Sequence, residues 1–318
     1  MKKRTPKISH RLGDILINGL ATCLILPLRC LPPNALLPIA KCLGAILFYL
    51  MKKYRERIIQ NLTLAFGKEK ESEELIQLAK EVFFHFTLTP LESIYAYLHP
   101  FDRFLRKIRI EGDDHLKAAL ARGKGVIALG LHLGPFTLVG GRLSLEGYRF
   151  NVMYNEGNYP KLWKRLGDYQ RRLGQNPFPL KPLSASLKKS LNCLRRNEIL
   201  YLIADEQQRR GGISTSFFGQ TAFTPTGPAI LSLKTGAPIL PMFILREEGR
   251  PQRLVIGPPV TIEPTAHLEK DIETLTVRFT KVIEDIVRQY PGQWSWLNRR
   301  WKLPSSCQPL VGLKKNPS

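Results

Sequence analysis

Five apolar stretches of strand length lie between residues 125 and 260 of this 318-residue chain. They are GVIALGL at 125–131, FNVMYN at 150–155, EILYLIA at 198–204, APILPMFIL at 237–245 and RLVIGPPV at 253–260. Three of them carry almost no polar residue, the pattern of strands covered on both faces. Segments of helical period lie between them, at 136–145, 159–173, 185–196 and 268–289, with one more from Thr226, placed to cap it, to Gly236. Upstream, 55–67 and 71–98 read as amphipathic helices, KIRIEG at 107–112 as a short strand, and 113–122 as a helix that Asp113 or Asp114 can cap. Strand–helix alternation with buried strands predicts an α/β fold, a mixed, mostly parallel sheet flanked by helices.

The first fifty residues follow another rule. Runs 15–28 and 42–51 are apolar, bounded by Arg29 and by Lys52 and Lys53, and interrupted by Pro27, Pro32 and Pro33. Neither run alone reaches the roughly 20 residues that cross a bilayer core. They predict an N-terminal apolar helical segment lying in one leaflet; a pair of buried core helices and a single tilted span are the other readings. Three parts are therefore expected: membrane-associating helices at 1–53, an α/β domain at 54–302 and a loose tail at 303–318.

Charge narrows the partners. The chain carries 48 Lys and Arg against 26 Asp and Glu. Residues 1–57 hold eleven of the basic groups against Asp14 and Glu56, and residues 158–196 hold ten against Asp168 alone. Such an excess implies a polyanionic partner, and basic residues among apolar runs favour an anionic membrane face over nucleic acid. No helix-turn-helix, zinc-finger or RNP pattern is present, so no nucleic acid is expected. The five cysteines form no CxxC pair, which argues for a reducing compartment and no structural zinc.

In open α/β sheets, ligands bind at the carboxyl ends of strands. Two of the buried runs end there in groups able to do chemistry: the first in His132, followed by Gly134-Pro135, and the third in Asp205-Glu206. A histidine so placed suits a general base near neutral pH.

GKGVIALGLHLGPFTLVG (123–140) resembles the first motif block of the lipid A late acyltransferases, a branch of the glycerophosphate and lysophospholipid acyltransferase superfamily. The stretch from Ala204 to Pro241 resembles the second block, YPGQWSWLNRRWK (290–302) the closing basic-aromatic segment, and 54–66 the entry helix. The resemblance covers residues 10–302, and the blocks in order are more specific than any one of them.

The resemblance implies acyl transfer without a covalent enzyme intermediate: a His takes the proton of an acceptor hydroxyl, which attacks the thioester of an acyl carrier. His132 matches that role. Five residues on, where the family has Glu or Asp to orient the imidazole, stands Thr137. Three readings stay open. Thr137 suffices at a reduced rate, another carboxylate (Asp205, Glu206 or Glu146) orients His132, or the chain binds lipids or carriers without catalysis. A substrate-binding set follows, in part from the needs of thioester attack and in part from the resemblance. Gly134 and Phe136 offer backbone N–H groups to an oxyanion, with Arg209 and Arg210 as charged donors. Tyr154, Arg171 and Arg172 fall in the acceptor block, and Phe217, Phe218, Gly219 and Thr226 in the second block. Phe217 and Phe218 line an acyl channel or pack beneath it; Trp294, Trp296 and Trp301 form a membrane-interface belt or close the core.

The expected activity is therefore transfer of a fatty acyl chain from an acyl carrier protein or acyl-CoA to a hydroxyl of a membrane glycolipid, a lipid A precursor. It needs no cofactor and no metal, and takes place at the cytoplasmic face of a bacterial inner membrane. The basic block at 158–196 offers a docking face to an acidic carrier. A binding homologue without catalysis and a lysophospholipid acyltransferase are the alternatives.

Overall fold

The structure, a computed structural model, describes residues 28–154, 160–208, 211–298 and 300–301. The expectations for 15–27, for Arg209 and Arg210, and for the 303–318 tail lie outside these residues.

Nine strands and ten α-helices are described: α1 Leu36–Leu50, α2 Lys52–Phe66, α3 Ser72–Leu98, α4 Phe101–Leu105, β1 Arg109–Glu111, α5 Asp113–Ala121, β2 Val126–Gly130, α6 Val139–Ser144, β3 Phe150–Tyr154, α7 Pro160–Arg172, β4 Gln175–Pro179, α8 Leu183–Arg195, β5 Ile199–Ile203, β6 Gly212–Phe217, β7 Gln220–Pro225, α9 Gly227–Thr235, β8 Ile239–Leu245, β9 Arg253–Ile256 and α10 Leu268–Gln289. Seven strands form one sheet in the order β1-β9-β8-β2-β5-β3-β4. Only the β8–β9 pair in it is antiparallel. The expected α/β architecture is the observed one.

The apolar runs occupy the centre because each strand there presents side chains to both faces. Ile127, Leu129, Leu200, Leu202, Ile239 and Phe243 enter one core, which includes residues of α2, α3 and α10. Their neighbours Val126, Ala128, Ile199, Tyr201, Leu240 and Met242 enter the other, with residues of α5 and α6. Period-two alternation of apolar residues thus builds two cores from one sheet.

The elements not anticipated include the short helix α4, an edge strand and a hairpin. QNPFP forms the edge strand β4, where prolines cost no ladder hydrogen bond. GISTSF and QTAFTP form the β6–β7 hairpin, turning at Phe218-Gly219 with φ of 53° and 69°. Positive φ at both central residues is the geometry whose twist matches two paired strands.

Caps differ from expectation as well. α5 starts from Gly112 in the left-handed region, and Asp113 pairs instead with Lys117 and the Tyr148 hydroxyl. Thr226 precedes α9, but its hydroxyl donates to Gly211 O and caps nothing. The tryptophans close the core: Trp294, Trp296 and Trp301 are 1%, 0% and 4% exposed, which removes the interface-belt reading.

At the N-terminus, α1 packs Leu36, Ala40, Gly44 and Phe48 toward α3. A Cβ on Gly44 would stand 3.0 Å from Phe84 Cα, so glycine lets the two helices approach closely. The opposite side leaves Leu37, Leu43, Ile46, Tyr49 and Leu50 exposed. Segment Pro33–Leu50 is long and apolar enough to cross a membrane by length and composition.

Candidate active site

Strand register brings the catalytic candidates together. β2 and β5 pair in parallel with Gly130 opposite Ile203, so continuing both chains by two residues sets His132 opposite Asp205. Gly130 is required here, because a Cβ would lie 2.4 Å from the Tyr201 ring of the neighbouring strand.

Asp205 is fully buried and accepts three hydrogen bonds. Oδ1 takes His132 Nδ1 at 2.8 Å; Oδ2 takes the His132 backbone N–H at 2.7 Å and Trp294 Nε1–H at 2.7 Å. An ionised carboxylate only accepts, so Nδ1 carries the proton and Nε2 keeps its lone pair. The His132 side chain is 23% exposed, and Glu206 Oε1, on a carboxylate 54% exposed, stands 3.7 Å from Nε2. The Phe136 ring meets the imidazole edge-to-face at 5.0 Å between centroids.

Opposing forces set the proton affinities. Burial pushes the imidazole pKa down, but the charge and hydrogen bond of Asp205, aided by the charge of Glu206, outweigh it and leave the pKa above its ordinary value. Burial pushes the Asp205 pKa up, and the charge of His132 with hydrogen bonds from His132 and Trp294 brings it below the usual carboxylate value. Asp205 thus remains ionised to hold an imidazolium when one forms.

The turn after His132 is clamped by segments far away in sequence. Ser295 N–H donates to His132 O at 2.9 Å, and Gly134 N–H to Gln293 O at 2.9 Å. Thr89 Oγ1 donates to Gly134 O at 3.1 Å. Gly134 has φ of 56°, and a Cβ there would meet Ile244 O at 2.1 Å. Below it, buried Arg246 pairs with buried Glu92, at 3.1 Å from Nε to Oε2, and also bonds Thr89 Oγ1 and His85 Nδ1. Gln293 bonds both the N–H and the carbonyl of Arg246. None of Glu92, Arg246 and Gln293 was singled out from the sequence, where they lie up to two hundred residues apart.

The remaining sequence candidates fall in several places. Thr137 Oγ1 lies 2.6 Å from Ser93 Oγ, and the Nδ1 partner of His132 is Asp205. Glu146 bonds Arg142. The Gly134 N–H is already donated to Gln293, so it is not a free oxyanion donor; the expectation for it is corrected. Tyr154 ends β3, beside β5 at the same edge of the sheet. Arg171 and Arg172 close α7 just before β4 begins, at the opposite end of the strands from His132. There Arg171 pairs with Asp168, and Arg172 stacks 4.9 Å over Tyr97. Phe217 and Phe218 are 0% and 4% exposed, packed against Trp294, Trp296, Trp301 and Phe66. Gly219 turns the hairpin.

Arg300 was expected only beside the tryptophans, in a membrane-interface belt or closing the core, and not at the site. It is fully buried, donates to Glu206 O at 3.3 Å and Thr224 Oγ1 at 2.8 Å, and lies 4.6 Å over the Phe217 ring. Burial pulls its pKa down to about 10, against the opposing charge of Asp205. It ties the carbonyl of Glu206, the residue after Asp205, to the β6–β7 hairpin. The basic-aromatic tail was the only sequence signal for it.

Comparison with known proteins gives the chain's relatives. A family model described as "Bacterial lipid A biosynthesis acyltransferase" matches residues 2–303. The phosphatidylinositol mannoside acyltransferase of Mycobacterium tuberculosis (strain CDC 1551 / Oshkosh) is 29% identical over 196 residues, 60% of this chain and 59% of that one. The lipid A biosynthesis lauroyltransferase of Escherichia coli K12 is 24% identical over 268 residues, 82% of this chain and 83% of that one. The palmitoleoyltransferase of the same strain is 25% identical over 267 residues, 82% of each chain. The chain therefore spans less than two thirds of the mycobacterial relative and more than four fifths of the enteric ones.

Proposed function

The chain belongs to the bacterial lipid A biosynthesis acyltransferase family, a family of acyltransferases, and on that premise we propose that it transfers a fatty acyl group from a thioester donor to a hydroxyl of a membrane glycolipid. The observation that carries the reading is the His132–Asp205 pair, with Nδ1 held by a buried carboxylate and Nε2 beside the half-exposed Glu206.

In this reading the acceptor hydroxyl approaches Nε2, which takes its proton as the oxygen attacks the thioester carbonyl. The carbonyl oxygen becomes an oxyanion; collapse expels the donor thiolate, which recovers the proton from the imidazolium. Asp205 holds the tautomer and stabilises the cation, the work the family assigns to the residue five positions after the histidine. The neutral Thr137 is then no obstacle, because the carboxylate comes from the neighbouring strand. The N–H of Phe136, the first residue of a short 3-10 turn, is the remaining backbone candidate for the oxyanion.

We take the donor to be an acyl carrier protein or coenzyme A thioester; the acceptor is a lipid A precursor or a related glycolipid, as the names of the relatives suggest for this chain. Residues 1–53 supply the membrane attachment, and the exposed apolar side of α1 supports it. The place of action is the cytoplasmic face of the inner membrane. Mass spectrometry of total lipids from cells with and without the gene tests this. The expected result is a glycolipid that loses one acyl chain in the deletion and regains it with wild-type chain but not with His132→Gln. An unchanged glycolipid profile refutes the reading.

A further inference from the structure

Helix α8 is built inside out. Along its first two turns Ser186 and Ser190 are each 2% exposed, whereas Leu183 and Leu187, one turn apart, are 69% and 42% exposed. The serine hydroxyls satisfy themselves within the helix, on Leu183 O and Ser186 O at 2.9 Å each. A helix packed for a soluble surface places these residues the other way round. Residues i and i+4 share a face, so the two leucines form one apolar strip that stays exposed among the described residues, with Lys181, Lys188 and Lys189 exposed near it.

The strip has a definite place. α8 begins after the carboxyl end of β4, and Leu180 N–H donates to Tyr154 O at the carboxyl end of β3. It therefore stands at the end of the sheet that carries His132. Three strand spacings separate β2 from β4 in the order β2-β5-β3-β4, about 14 Å at roughly 4.8 Å each. Beside the His132 turn, on the α3 side, lies α1 with its exposed apolar face: Thr89 and Ser93 of α3 touch Gly134 and Thr137, and the same helix carries Phe84 against Gly44.

We propose that Leu183 and Leu187 insert into the interface of an anionic bilayer, with Lys181, Lys188 and Lys189 on headgroup phosphates. This is a second lipid contact, across the catalytic residues from α1. Composition argues for lipid over a protein partner. Segment 177–191 contains no Asp, Glu, Asn or Gln, and so offers a partner's donors no side-chain amide or carboxylate. Protein interfaces favour Arg and aromatic residues and are depleted of Lys, Ser and Ala, the residues exposed here. An apolar strip with exposed lysines near it is how a helix lies on a bilayer, and the Lys189 ammonium, 5.8 Å over the Phe178 ring, has only a short way to swing to a headgroup. The consequence is geometric: two contacts hold the carboxyl end of the sheet toward the membrane, so a lipid-anchored hydroxyl can reach His132 without leaving the bilayer. That consequence rests on the acyltransfer reading; the contact itself does not.

The test uses the full chain with Cys23, Cys30, Cys42 and Cys307 changed to Ala, buried Cys193 kept, and Leu187→Cys carrying a polarity-sensitive fluorophore. Vesicles of phosphatidylglycerol and phosphatidylcholine should shift its emission to the blue, and 1 M salt should reduce the shift. No shift with these vesicles, or a shift only with a purified acidic acyl carrier protein, overturns the proposal. In parallel, Leu183→Glu with Leu187→Glu should lower transfer to a vesicle-embedded acceptor about tenfold or more, as expected from losing two buried leucines. Transfer to a short-chain soluble acceptor should stay unchanged, since neither side chain touches the site. An equal fall on both acceptors overturns it. A wild-type chain that transfers nothing defeats the acyltransfer reading and leaves the fluorophore result to decide this one.

Discussion

Asp205→Asn isolates the carboxylate that the structure gives to His132. Asn and Asp have nearly the same shape, so the change is one of hydrogen-bond roles. Oδ2 of Asp205 faces two N–H donors, the His132 backbone and Trp294 Nε1, each at 2.7 Å. In the variant the amide oxygen must take that position, because an NH2 there would meet two donors in a buried site. The NH2 then faces His132 Nδ1, which must become an acceptor, and the imidazole proton moves to Nε2. A base whose lone pair points at the scaffold cannot take a proton from substrate. A neutral replacement that enforces the wrong tautomer costs about 10⁴ in kcat in the serine-protease triad, and a fall of about 10³ to 10⁴ is expected here. Stability should change by no more than about 2 kcal/mol, since all three contacts persist in weaker form. The assay is single-turnover transfer of a radiolabelled acyl group to lipid acceptor, paired with thermal melting. A folded variant within tenfold of wild type refutes the assignment.

Further expectations follow from the same geometry. Gly134→Ala places a Cβ 2.1 Å from Ile244 O at a φ of 56°, so both melting temperature and kcat should fall, the strain alone costing at least about 1 kcal/mol. Arg246→Met leaves Glu92 buried without its cation and should cost about 3–5 kcal/mol in chemical denaturation. Because the His132 pKa is raised, the acidic limb of kcat/KM should lie above pH 6.5, and Glu206→Gln, which removes one of the raising charges, should move that limb downward. Stability follows the same linkage. The His132 contribution is full below the unfolded value near 6.5 and fades as pH rises through the higher folded value. The Asp205 contribution is full above 3.8 and fades as pH falls through the lower folded one. A melting-temperature titration from pH 3 to 9 reads both.

The central sheet was legible because β2, β5 and β8 are continuous apolar runs, and such runs have few other uses at strand length. β4 and the β6–β7 hairpin were not, because QNPFP and GISTSFFGQTAFTP carry prolines, glycines and polar residues that read as loop. His132 and Asp205 were each visible as polar groups ending buried strands, yet Asp205 stood beside Thr137, Glu206 and Glu146 as one of several possible partners. Only adjacency of β2 and β5 singles it out, and adjacency is a long-range fact that local pattern does not contain. The same holds for Trp294. Its indole reaches Asp205 because residues 293–295 run along the His132 turn, whereas the sequence offered only an aromatic segment near the chain end. The clamp of Glu92, Arg246 and Gln293 had no sequence signature at all, being assembled from a helix interior, a strand end and a turn.

The claim on which the account turns is that Nε2 of His132 is the base. Transfer of acyl groups by His132→Gln, measured in single turnovers against wild type at saturating donor and acceptor, addresses it most directly. The account predicts a fall of at least about 10² to 10⁴, the contribution of a positioned general base. A well-folded variant that keeps the wild-type rate would contradict it.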